Sequence, residues 1–586
     1  MARYHLSSYP WPFEVNLHPT AAQVLEYCRQ VVHHLKLDVR LNTEVLAVER
    51  LPPAGVAAGS VCSGSSQQQP CRWRLRIAHV SAGAGGRRRD DEQEVNFDYV
   101  VACVGSYGGP QKARLQLPGE QAFLAAGGRV LTERSPEVND PKLAFGGKRV
   151  AVVGFGKSAL DMVMLARSHG AAGPVQHVFR SARWMLPRLI FGLHYTQLLF
   201  IRASTVMVPS WSHPTPTERA LHSRTNPLAR GVMAGFWAFL GAVLTAAHHF
   251  NARSGRGRAA VGLAGDRLSS SSGATGTGAE AAAAVKPAGK DEGRLGAAVV
   301  SVVAVAGKAP GCEEAVEKGP PAITTAAERR RRLELVLRPD ERLDESLRSA
   351  VAVAPDGYVA AVAEGAVEPT RDELAGLVAS KGKEAGGAVG GLRLADGSVV
   401  PADVVVLSVG SVAARFPFLP EDIRRRMEAD ADGAQLYRHL LLPGEHSLAF
   451  GGHSHCFTHI PAVEAGTLWL AALWRGELQL PPVSEMQAAV ESIASWKRAH
   501  CLFEPTRLAG TNVRFMQYVD TILLDLQLNP YRCLPNLVAE LTGVYGCSHY
   551  AGIVQDYLAA RATAAARAKR AGLLAPPLLQ PLKVAM

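Results

Sequence analysis

The sequence predicts an α/β protein with a doubly wound parallel sheet and a helical C-terminal region. Residues 148–153 are a run of β-formers that leads through a glycine turn into a helix, and residues 175–180 predict a second strand. A strand, a helix and a strand within about thirty residues form a βαβ unit, which is typical of parallel sheets. The apolar runs 96–104 and 402–409 predict two further buried strands. Helical spacing dominates the C-terminal part, where Pro530 and Pro535 interrupt it.

The composition is that of an ordinary globular protein. The 586 residues are 47% hydrophobic and 20% charged, which excludes wholesale disorder, a collagen-like chain and a multi-span membrane protein. The net charge is +11, from 63 Lys and Arg against 52 Asp and Glu. The densest basic runs, 87–89 and 329–332, lie beside acidic residues in low-complexity sequence. Because a nucleic-acid binder concentrates its basic residues on one stripe, no nucleic-acid partner is predicted.

Cysteine usage and the first residues favour a cytoplasmic location. The nine cysteines are odd in number and none are spaced as C-x-x-C, which favours a reducing compartment over a secreted disulfide framework. The first residues have neither a secretory apolar core nor an amphipathic transit pattern. Residues 231–247 are apolar but shorter than the about 20 residues that a membrane span requires. We interpret them as a packed helix; association with the endoplasmic reticulum membrane is the less favoured alternative.

The N-terminal part predicts one helix and two strands. Thr20 with Gln23 three residues later forms a capping-box pattern, and apolar residues that should face a core then recur at helical spacing. Those residues are Val24, Tyr27, Cys28, Val31 and Leu35. Alternating sequence at 38–50 and 72–80 predicts a pair of strands joined by a loop insertion at 52–70. The segment 252–330 is rich in Ser, Gly, Ala and Lys, and we expect it to be a disordered insertion.

The clearest motif is the glycine turn of the βαβ unit, VAVVGFGKSALD, which has the form G-x-G-x-x-A. Gly154 permits a tight turn, Gly156 lets the backbone approach a diphosphate, and Ala159 lets the helix pack closely on the strand. Ser158 lies in the first turn of the helix. The same pattern at 276–281 lies in low-complexity sequence, so only the first has the strand–turn–helix context that predicts dinucleotide binding. The alternative is a purely structural glycine turn.

The residues after the second strand favour NADP over NAD. An NAD site places an Asp or Glu at this point to bind the ribose 2′-hydroxyl. Here Arg180 ends the strand and Arg183 follows, and a guanidinium can pair with a 2′-phosphate through two hydrogen bonds. The alternative is that both arginines are solvated loop residues.

Two of the predicted strands end alike. Residues 98–106 read DYVVACVGS and residues 402–411 read ADVVVLSVGS, so that each ends in a glycine followed by serine. A glycine at this point lets the chain leave a sheet close to a ligand or another backbone segment. Gly105 and Gly410 are therefore candidate cofactor-binding residues.

These motifs resemble those of the flavin-containing monooxygenases, the class B flavoprotein monooxygenases, and most closely the plant and algal type. KRVAVVGFGKSALD is similar to the NADPH-binding turn of that family, and the strand ends at Gly105 and Gly410 resemble its linkers. SSYPWP near the start, LAFGGHSHCFTHIPAVEAGTLWLAALWRGELQLP with Glu464 and Trp469, and YVDTILLDLQLNP are also similar to family segments. The likeness covers most of 1–250 and 330–560.

The resemblance implies a flavoprotein fold with two Rossmann-like dinucleotide-binding domains. The first G-x-G-x-x-G, which binds FAD in the family, is not found upstream of SSYPWP, so the first FAD-binding βαβ unit is expected to be missing. The family's F-x-G-x-x-x-H signature is replaced at 126–132. The implied division is a partial FAD domain (1–120), an NADP domain (121–251 and 331–400) with an inserted apolar helix, the insertion 252–330, a C-terminal return to the FAD domain (401–565) and a tail (566–586).

The resemblance implies an NADPH- and FAD-dependent monooxygenase that oxidises a soft nitrogen or sulfur centre of a small molecule with O₂ through a peroxyflavin. The alternative is a non-catalytic or flavin-deficient NADP-binding protein derived from this family. No catalytic side chain can be assigned. His453, His455, Cys456 and His459 could suit zinc, but a second matching cluster is missing and we interpret them as a polar loop, so no metal is predicted.

Overall fold

The computed structural model describes residues 5–15, 19–51, 73–83, 86–105, 116–211, 216–223, 225–253, 325–349, 351–380, 389–410, 414–573 and 575–581. The predicted loop insertion at 52–70 lies outside the described residues, as does nearly all of the predicted disordered insertion.

The strands are β1 (Thr43–Arg50), β2 (Trp73–Gly83), β3 (Gly86–Phe97), β4 (Val100–Ala102), β5 (Arg129–Thr132), β6 (Val150–Val153), β7 (Val175–Phe179), β8 (Met185–Leu186), β9 (Leu189–Ile190), β10 (Leu193–His194), β11 (Ala352–Val353), β12 (Val367–Arg371), β13 (Leu374–Ala379), β14 (Gly390–Leu394), β15 (Val399–Pro401), β16 (Val404–Leu407), β17 (Leu448–Phe450), β18 (His455–Cys456) and β19 (Gly510–Asn512).

The α-helices are α1 (Ala21–His34), α2 (Glu120–Ala125), α3 (Pro141–Phe145), α4 (Lys157–Ser168), α5 (Thr196–Leu199), α6 (Arg202–Thr205), α7 (Pro216–Leu221), α8 (Pro227–Arg253), α9 (Ala326–Leu337), α10 (Leu343–Arg348), α11 (Tyr358–Glu364), α12 (Glu421–Met427), α13 (His459–Trp474), α14 (Val483–His500), α15 (Phe515–Asp525), α16 (Leu537–Thr542) and α17 (Ile553–Arg570).

A five-stranded parallel sheet with the order β12-β7-β6-β16-β5 forms the centre of the fold. Its middle strands, β6 and β16, are buried along their whole length, which explains their unbroken runs of valine and other apolar residues. One face of the sheet packs against α4 and α11, and the other against α2 and the antiparallel sheet β13-β14-β15. The prediction of a parallel α/β fold is confirmed.

A second β region lies outside this sheet. Strands β1, β2 and β3 form an antiparallel sheet, and β4 pairs in parallel with β17. Side chains from these strands and from α12 share a core around Trp73 and Phe450. The predicted strand at 96–104 is wrong in its bounds, because residues 96–97 end β3 and β4 covers only 100–102. The rest of β3 was not predicted, since its charged residues hide the alternation by which a strand is recognised. The C-terminal helices α13, α14, α15 and α17 share a separate apolar core.

The predicted packing of α1 is wrong. Its capping box at Thr20 and Gln23 is present, and the helix has the predicted extent. Of the residues expected to face a core, Tyr27 is buried, but Cys28 is exposed and Val24 and Leu35 are 39% and 45% exposed. The helical spacing is therefore real, but the described part of the chain provides no element that covers this face.

The apolar segment 231–247 lies within the longer helix α8, which spans 27 residues. Its length and mean hydropathy of 1.5 would be sufficient for a membrane span, and only 17% of its apolar window is buried. The prediction of a packed helix is correct for one face, where Leu240 and Leu244 contact the core that includes Leu343. The other face exposes apolar residues, among them Leu228 at 75% and Phe239 at 68%.

Candidate dinucleotide-binding site

The glycine turn lies where β6 leaves the parallel sheet and enters α4. Gly154 has φ +123°, in the region that favours glycine. A Cβ on Gly154 would overlap the backbone carbonyl oxygen of Ser408, which follows β16. The amide of Gly154 donates to Val178 O of the neighbouring strand at 2.9 Å. The turn is thus held between β7 and β16, and no residue with a side chain fits at this position.

The N-terminus of α4 is open. Gly156 caps the helix without a side-chain hydrogen bond, and no described atom lies within 4 Å of where its Cβ would be. As at any helix start, the backbone N–H groups of the first turn lack intrahelical partners, and here the N-cap residue supplies no side chain to satisfy them. This is the arrangement that binds phosphate groups. Ser158 is exposed in this turn, while Ala159 is buried against the sheet, as predicted for the third small residue of the motif.

His177 holds the turn through a hydrogen bond to Gly154 O, and no sequence motif pointed to this residue. Nε2 of His177 is 2.7 Å from Gly154 O and Nδ1 is 2.8 Å from the Tyr358 hydroxyl. Burial lowers the pKa of His177 to about 4, so the ring is neutral: its Nε2–H donates to the carbonyl and its Nδ1 accepts from the tyrosine. A histidine inside an apolar strand of a parallel sheet is the signal that could have drawn attention to it.

The end of β16 contributes a second glycine to the same edge of the sheet. The buried hydroxyl of Ser408 has no hydrogen-bond partner among the described residues. Val409 is 63% exposed, and Gly410 follows at φ +105° with open space around it. Because β16 is the parallel neighbour of β6, Gly410 lies at the carboxyl edge that also holds the glycine turn.

The two arginines differ in their surroundings. Arg180 directly follows β7, and its side chain is 78% exposed, with Glu373 Oε1 at 4.0 Å. Arg183 is half-buried and bound at 3.1 Å to Oε1 of Glu504, far away in the sequence. Arg180 therefore has a guanidinium free to turn toward a ligand at the edge of the sheet, whereas that of Arg183 is engaged by a carboxylate.

Gly105 lies away from the carboxyl edge of the central sheet that holds the glycine turn. It follows β4 with φ +64° and open space, in the two-stranded sheet with β17. There the strand ends approach closely, since a Cβ on Gly451 would lie 2.5 Å from Sγ of Cys103. The structure thus brings Gly154, Gly156, Ser158, Ala159, Arg180 and Gly410 to one edge of the central sheet, with Arg183 beside them, and places Gly105 in another sheet.

The histidine-rich loop forms no metal centre in the part of the chain that the structure describes. Burial lowers the pKa of His453 and of His455 to about 4, and that of His459 below its usual value. The three imidazoles are therefore neutral. Beside them, Glu464 of α13 accepts hydrogen bonds from the backbone and the hydroxyl of Ser7, which joins the SSYPWP segment to this helix.

Comparisons with known proteins point to one group of enzymes, although no protein-family model matches the chain. The chain is 25% identical to the FAD-dependent monooxygenase rstn6 of Aspergillus nomiae over 546 residues, which cover 89% of this chain and 81% of that protein. It is 21% identical to "Probable flavin-containing monooxygenase 1" of Arabidopsis thaliana over 93% of this chain and 86% of that protein. A 32% identical match to the FAD-dependent monooxygenase DEP4 of Alternaria brassicicola spans 21% of this chain and only 22% of that relative.

The solved structures that match most of this chain superpose on it with TM-scores below 0.5. The S-allyl-L-cysteine S-oxygenase of Allium sativum gives a TM-score of 0.44 at 14% identity, over 97% of this chain and 82% of that one. A steroid monooxygenase bound to NADP gives 0.42 at 14% identity, over 99% and 90%. The two relatives that match along most of their length are both flavin-dependent monooxygenases by name, and the chain is similar to this group of enzymes.

Proposed function

We propose that this protein uses NADPH and FAD to oxygenate a soft nucleophilic nitrogen or sulfur centre of a small molecule. The observation that carries the proposal is the turn at Gly154 and Gly156, which is pressed against the end of β16 and leaves the α4 N-terminus open. The two relatives that match along most of this chain, both monooxygenases by name, support the same reaction class. The soft N or S substrate is supported by the sequence resemblance alone.

The geometry of the turn fits a dinucleotide. The open N–H groups at Gly156 would donate to the diphosphate, where the positive end of the helix dipole also favours negative charge. The exposed Ser158 hydroxyl can add a donor in the same turn, and the unpartnered Ser408 hydroxyl and Gly410 would lie along the ligand. Arg180 would bind the 2′-phosphate through charge-assisted hydrogen bonds. Arg183 would contribute only if its pair with Glu504 opened.

The fit to FAD is partial. Gly105 and Gly452 have left-handed backbones at the ends of β4 and β17, where a flat group could approach the chain. Among the described residues, however, β6 is the one strand that leads directly through a G-x-G turn into a helix N-terminus. A bound flavin would supply electron transfer from NADPH to O₂, and the protein would supply binding, orientation and exclusion of water. The partial fit favours the second candidate, a flavin-deficient NADP-binding protein derived from the same family.

Purification of the full chain separates the two candidates. A yellow protein with flavin absorbance that consumes NADPH and O₂ and converts a thioether to its sulfoxide, or a tertiary amine to its N-oxide, supports the monooxygenase. A colourless protein that binds NADPH and stays inactive with added FAD supports the second candidate. Absence of binding to either nicotinamide coenzyme in a folded sample would overturn both.

Gly156→Ala tests the proposed diphosphate-binding turn without disturbing the fold. The residue has φ −79° and open space, so alanine is compatible with the backbone, but its methyl group would occupy the path of the diphosphate. We expect unchanged thermal stability and NADPH binding weakened by about tenfold or more. Gly235→Ala, at an open position in α8, is the matched control and should leave binding unchanged. Equal binding by both variants would contradict the proposed site.

Arg180→Ala tests the choice of coenzyme. We expect NADPH to bind about tenfold or more weaker, with little change for NADH, because only NADPH carries the 2′-phosphate. Arg183→Ala is the control, since its guanidinium already pairs with Glu504. Calorimetric titration of both variants with both coenzymes gives the comparison. Equal losses for NADPH and NADH in Arg180→Ala would refute the role of this residue.

A further inference from the structure

A cavity of about 710 Å³ lies among the C-terminal helices, away from the glycine turn. Its walls come from α14, α15, the segment before β17 and the ends of two loops, and its aromatic lining consists of Trp211, Tyr437, His439 and Tyr518. None of the lining residues belongs to the sheet edge that holds Gly154 and Arg180. The volume is in the range of small-molecule sites, which are mostly apolar with a few fixed polar groups.

Two buried polar side chains of this cavity have unmet hydrogen-bonding capacity. Gln517 is 4% exposed and His439 is 7% exposed. Neither Oε1 of Gln517 nor Nε2 of His439 has a partner among the residues that the structure describes. A buried acceptor without a partner is costly, by about 1–3 kcal/mol, and needs an explanation such as a ligand or an ordered water.

The orientation of the Gln517 amide follows from its neighbours. The hydroxyl of Thr205 donates to Arg202 O at 3.3 Å, so its oxygen is available to accept. Nε2 of Gln517 donates to this oxygen at 3.0 Å. A flipped amide would direct a carbonyl oxygen at a hydroxyl whose hydrogen is already used. The unpartnered atom of Gln517 is therefore an acceptor, and it can take a hydrogen bond from a donor inside the cavity.

The two arginines that line the cavity are each paired with a carboxylate. Arg438 binds Asp525 through two nitrogens at 2.9 and 3.0 Å. Arg514 donates to Glu218 Oε1 at 3.3 Å. Burial and nearby positive groups, Lys497 and Arg438 among them, lower the pKa of His439 well below its usual value, so the imidazole is neutral. Among the described lining residues both arginines are thus engaged by carboxylates, and Glu485 adds a further carboxylate to the wall. The cavity therefore favours an uncharged ligand over an anionic one.

Two residues that line the cavity have an unfavourable left-handed backbone conformation. Arg438 and His439 are consecutive non-glycine residues with φ of +53° and +58°, and both line the cavity. Left-handed conformations of this kind are unfavourable and cluster at sites where surrounding structure imposes them. Here the hydrogen bond from the Tyr518 hydroxyl to Arg438 O, at 2.9 Å, helps hold the turn.

We propose that this cavity binds a neutral, largely apolar ring compound that carries a hydroxyl or N–H group, which donates to Oε1 of Gln517. A hydroxyl also accepts, so the same class of ligand can use a proton on Nε2 of His439. Trp211, Tyr437 and Tyr518 supply the surfaces on which a flat ring packs. The site is separate from the proposed coenzyme site and does not depend on the proposed function.

The test uses three probes of equal ring size with the full chain and no nicotinamide coenzyme. Naphthol offers a hydroxyl donor, methoxynaphthalene lacks it, and naphthalenesulfonate is anionic. We expect naphthol to bind about tenfold tighter than methoxynaphthalene, and naphthalenesulfonate not to bind. Calorimetry reports binding, as does quenching of tryptophan fluorescence, since one of the eight tryptophans, Trp211, lines the cavity. If naphthol does not bind, or if the sulfonate binds as well as naphthol, the proposal is wrong and the cavity holds water or a different ligand.

Two variants locate the binding. Gln517→Leu removes the acceptor at similar volume, and we expect naphthol and methoxynaphthalene to bind it equally. Ala489→Phe, from α14 into the cavity, should abolish binding of both neutral probes even if Gln517→Leu fails to fold. Ala499→Phe, at an exposed position of the same helix that does not line the cavity, is the matched control. Unchanged naphthol binding by Ala489→Phe would overturn the proposal.

Discussion

Lys497 is a fully buried lysine, and it gives the sharpest test of the electrostatics of the C-terminal region. Its side chain is 0% exposed, and its Nζ donates to Leu508 O at 2.5 Å and lies 4.3 Å from the ring centre of Trp211. Burial lowers the pKa of Lys497 from 10.5 to about 7, although Cys501 and Asp432 act in the opposite direction. The amine is thus nearly neutral in the folded protein above neutral pH.

The sign of the pH effect follows from proton counting. Between pH 7 and 10.5 the unfolded chain holds a proton on Lys497 that the folded chain does not, so this residue makes the free energy of unfolding rise with pH. At about 1.4 kcal/mol per pH unit, the gain across this window is about 5 kcal/mol. Below pH 7 both states are protonated and the contribution becomes constant.

Lys497→Met removes this pH dependence. We expect the variant to be more stable than the parent at pH 7, by about 3–4 kcal/mol after loss of the hydrogen bond to Leu508, and this advantage to disappear by about pH 10. Urea unfolding followed by tryptophan fluorescence at several pH values measures the difference. Lys569→Met, at an exposed position in α17, is the control and should show no such trend. A constant difference between Lys497→Met and the parent across the window would refute the reasoning.

Two further changes probe the backbone turn and a buried charge cluster. Gly154→Ala should lower the free energy of unfolding by about 3 kcal/mol or more, because φ is +123° and the Cβ overlaps Ser408 O. Urea unfolding measures this loss, and a Gly154→Ala variant as stable as Gly156→Ala would contradict the expectation. Arg202→Leu should lower the free energy of unfolding by about 3–5 kcal/mol at pH 7, because Arg202 binds Asp520 and Glu540 in a buried cluster. That loss should shrink at pH 5, where the stranded carboxylates take up protons, and a loss below about 1 kcal/mol at pH 7 would be evidence against the cluster.

The sequence was sufficient to predict three of the five strands of the central sheet and the glycine turn after β6, because the signals there are local. The strands β6, β7 and β16 are short apolar runs in a fully buried parallel sheet, where no alternation is needed. At the turn, Gly154 and Gly156 act through backbone geometry, which a spacing of glycines records directly. The same locality allowed the capping box of α1 to be recognised at Thr20.

The predictions that were wrong or incomplete concern contacts between elements that are distant in the sequence. Helical spacing in α1 correctly gave the helix, but it could not show that Val24 and Leu35 would stay exposed, since burial depends on a partner element. For α8 the composition was apolar on all sides, so spacing could not separate the face that packs near Leu343 from the face that exposes Phe239. Arg183 could not be distinguished from Arg180, because its partner Glu504 is distant in the sequence.

The cavity shows why a second kind of site escapes sequence reasoning altogether. The hydrogen bond that fixes the Gln517 amide joins it to Thr205, 312 positions away, and the unpartnered His439 belongs to a third segment. None of these residues forms a motif with its sequence neighbours. The site is identified by matching hydrogen-bond donors with acceptors among the described residues. Oε1 of Gln517 remains without a donor beside a space large enough for a ligand. A dinucleotide turn is encoded by spacing, whereas a side-chain cavity is encoded only by the fold.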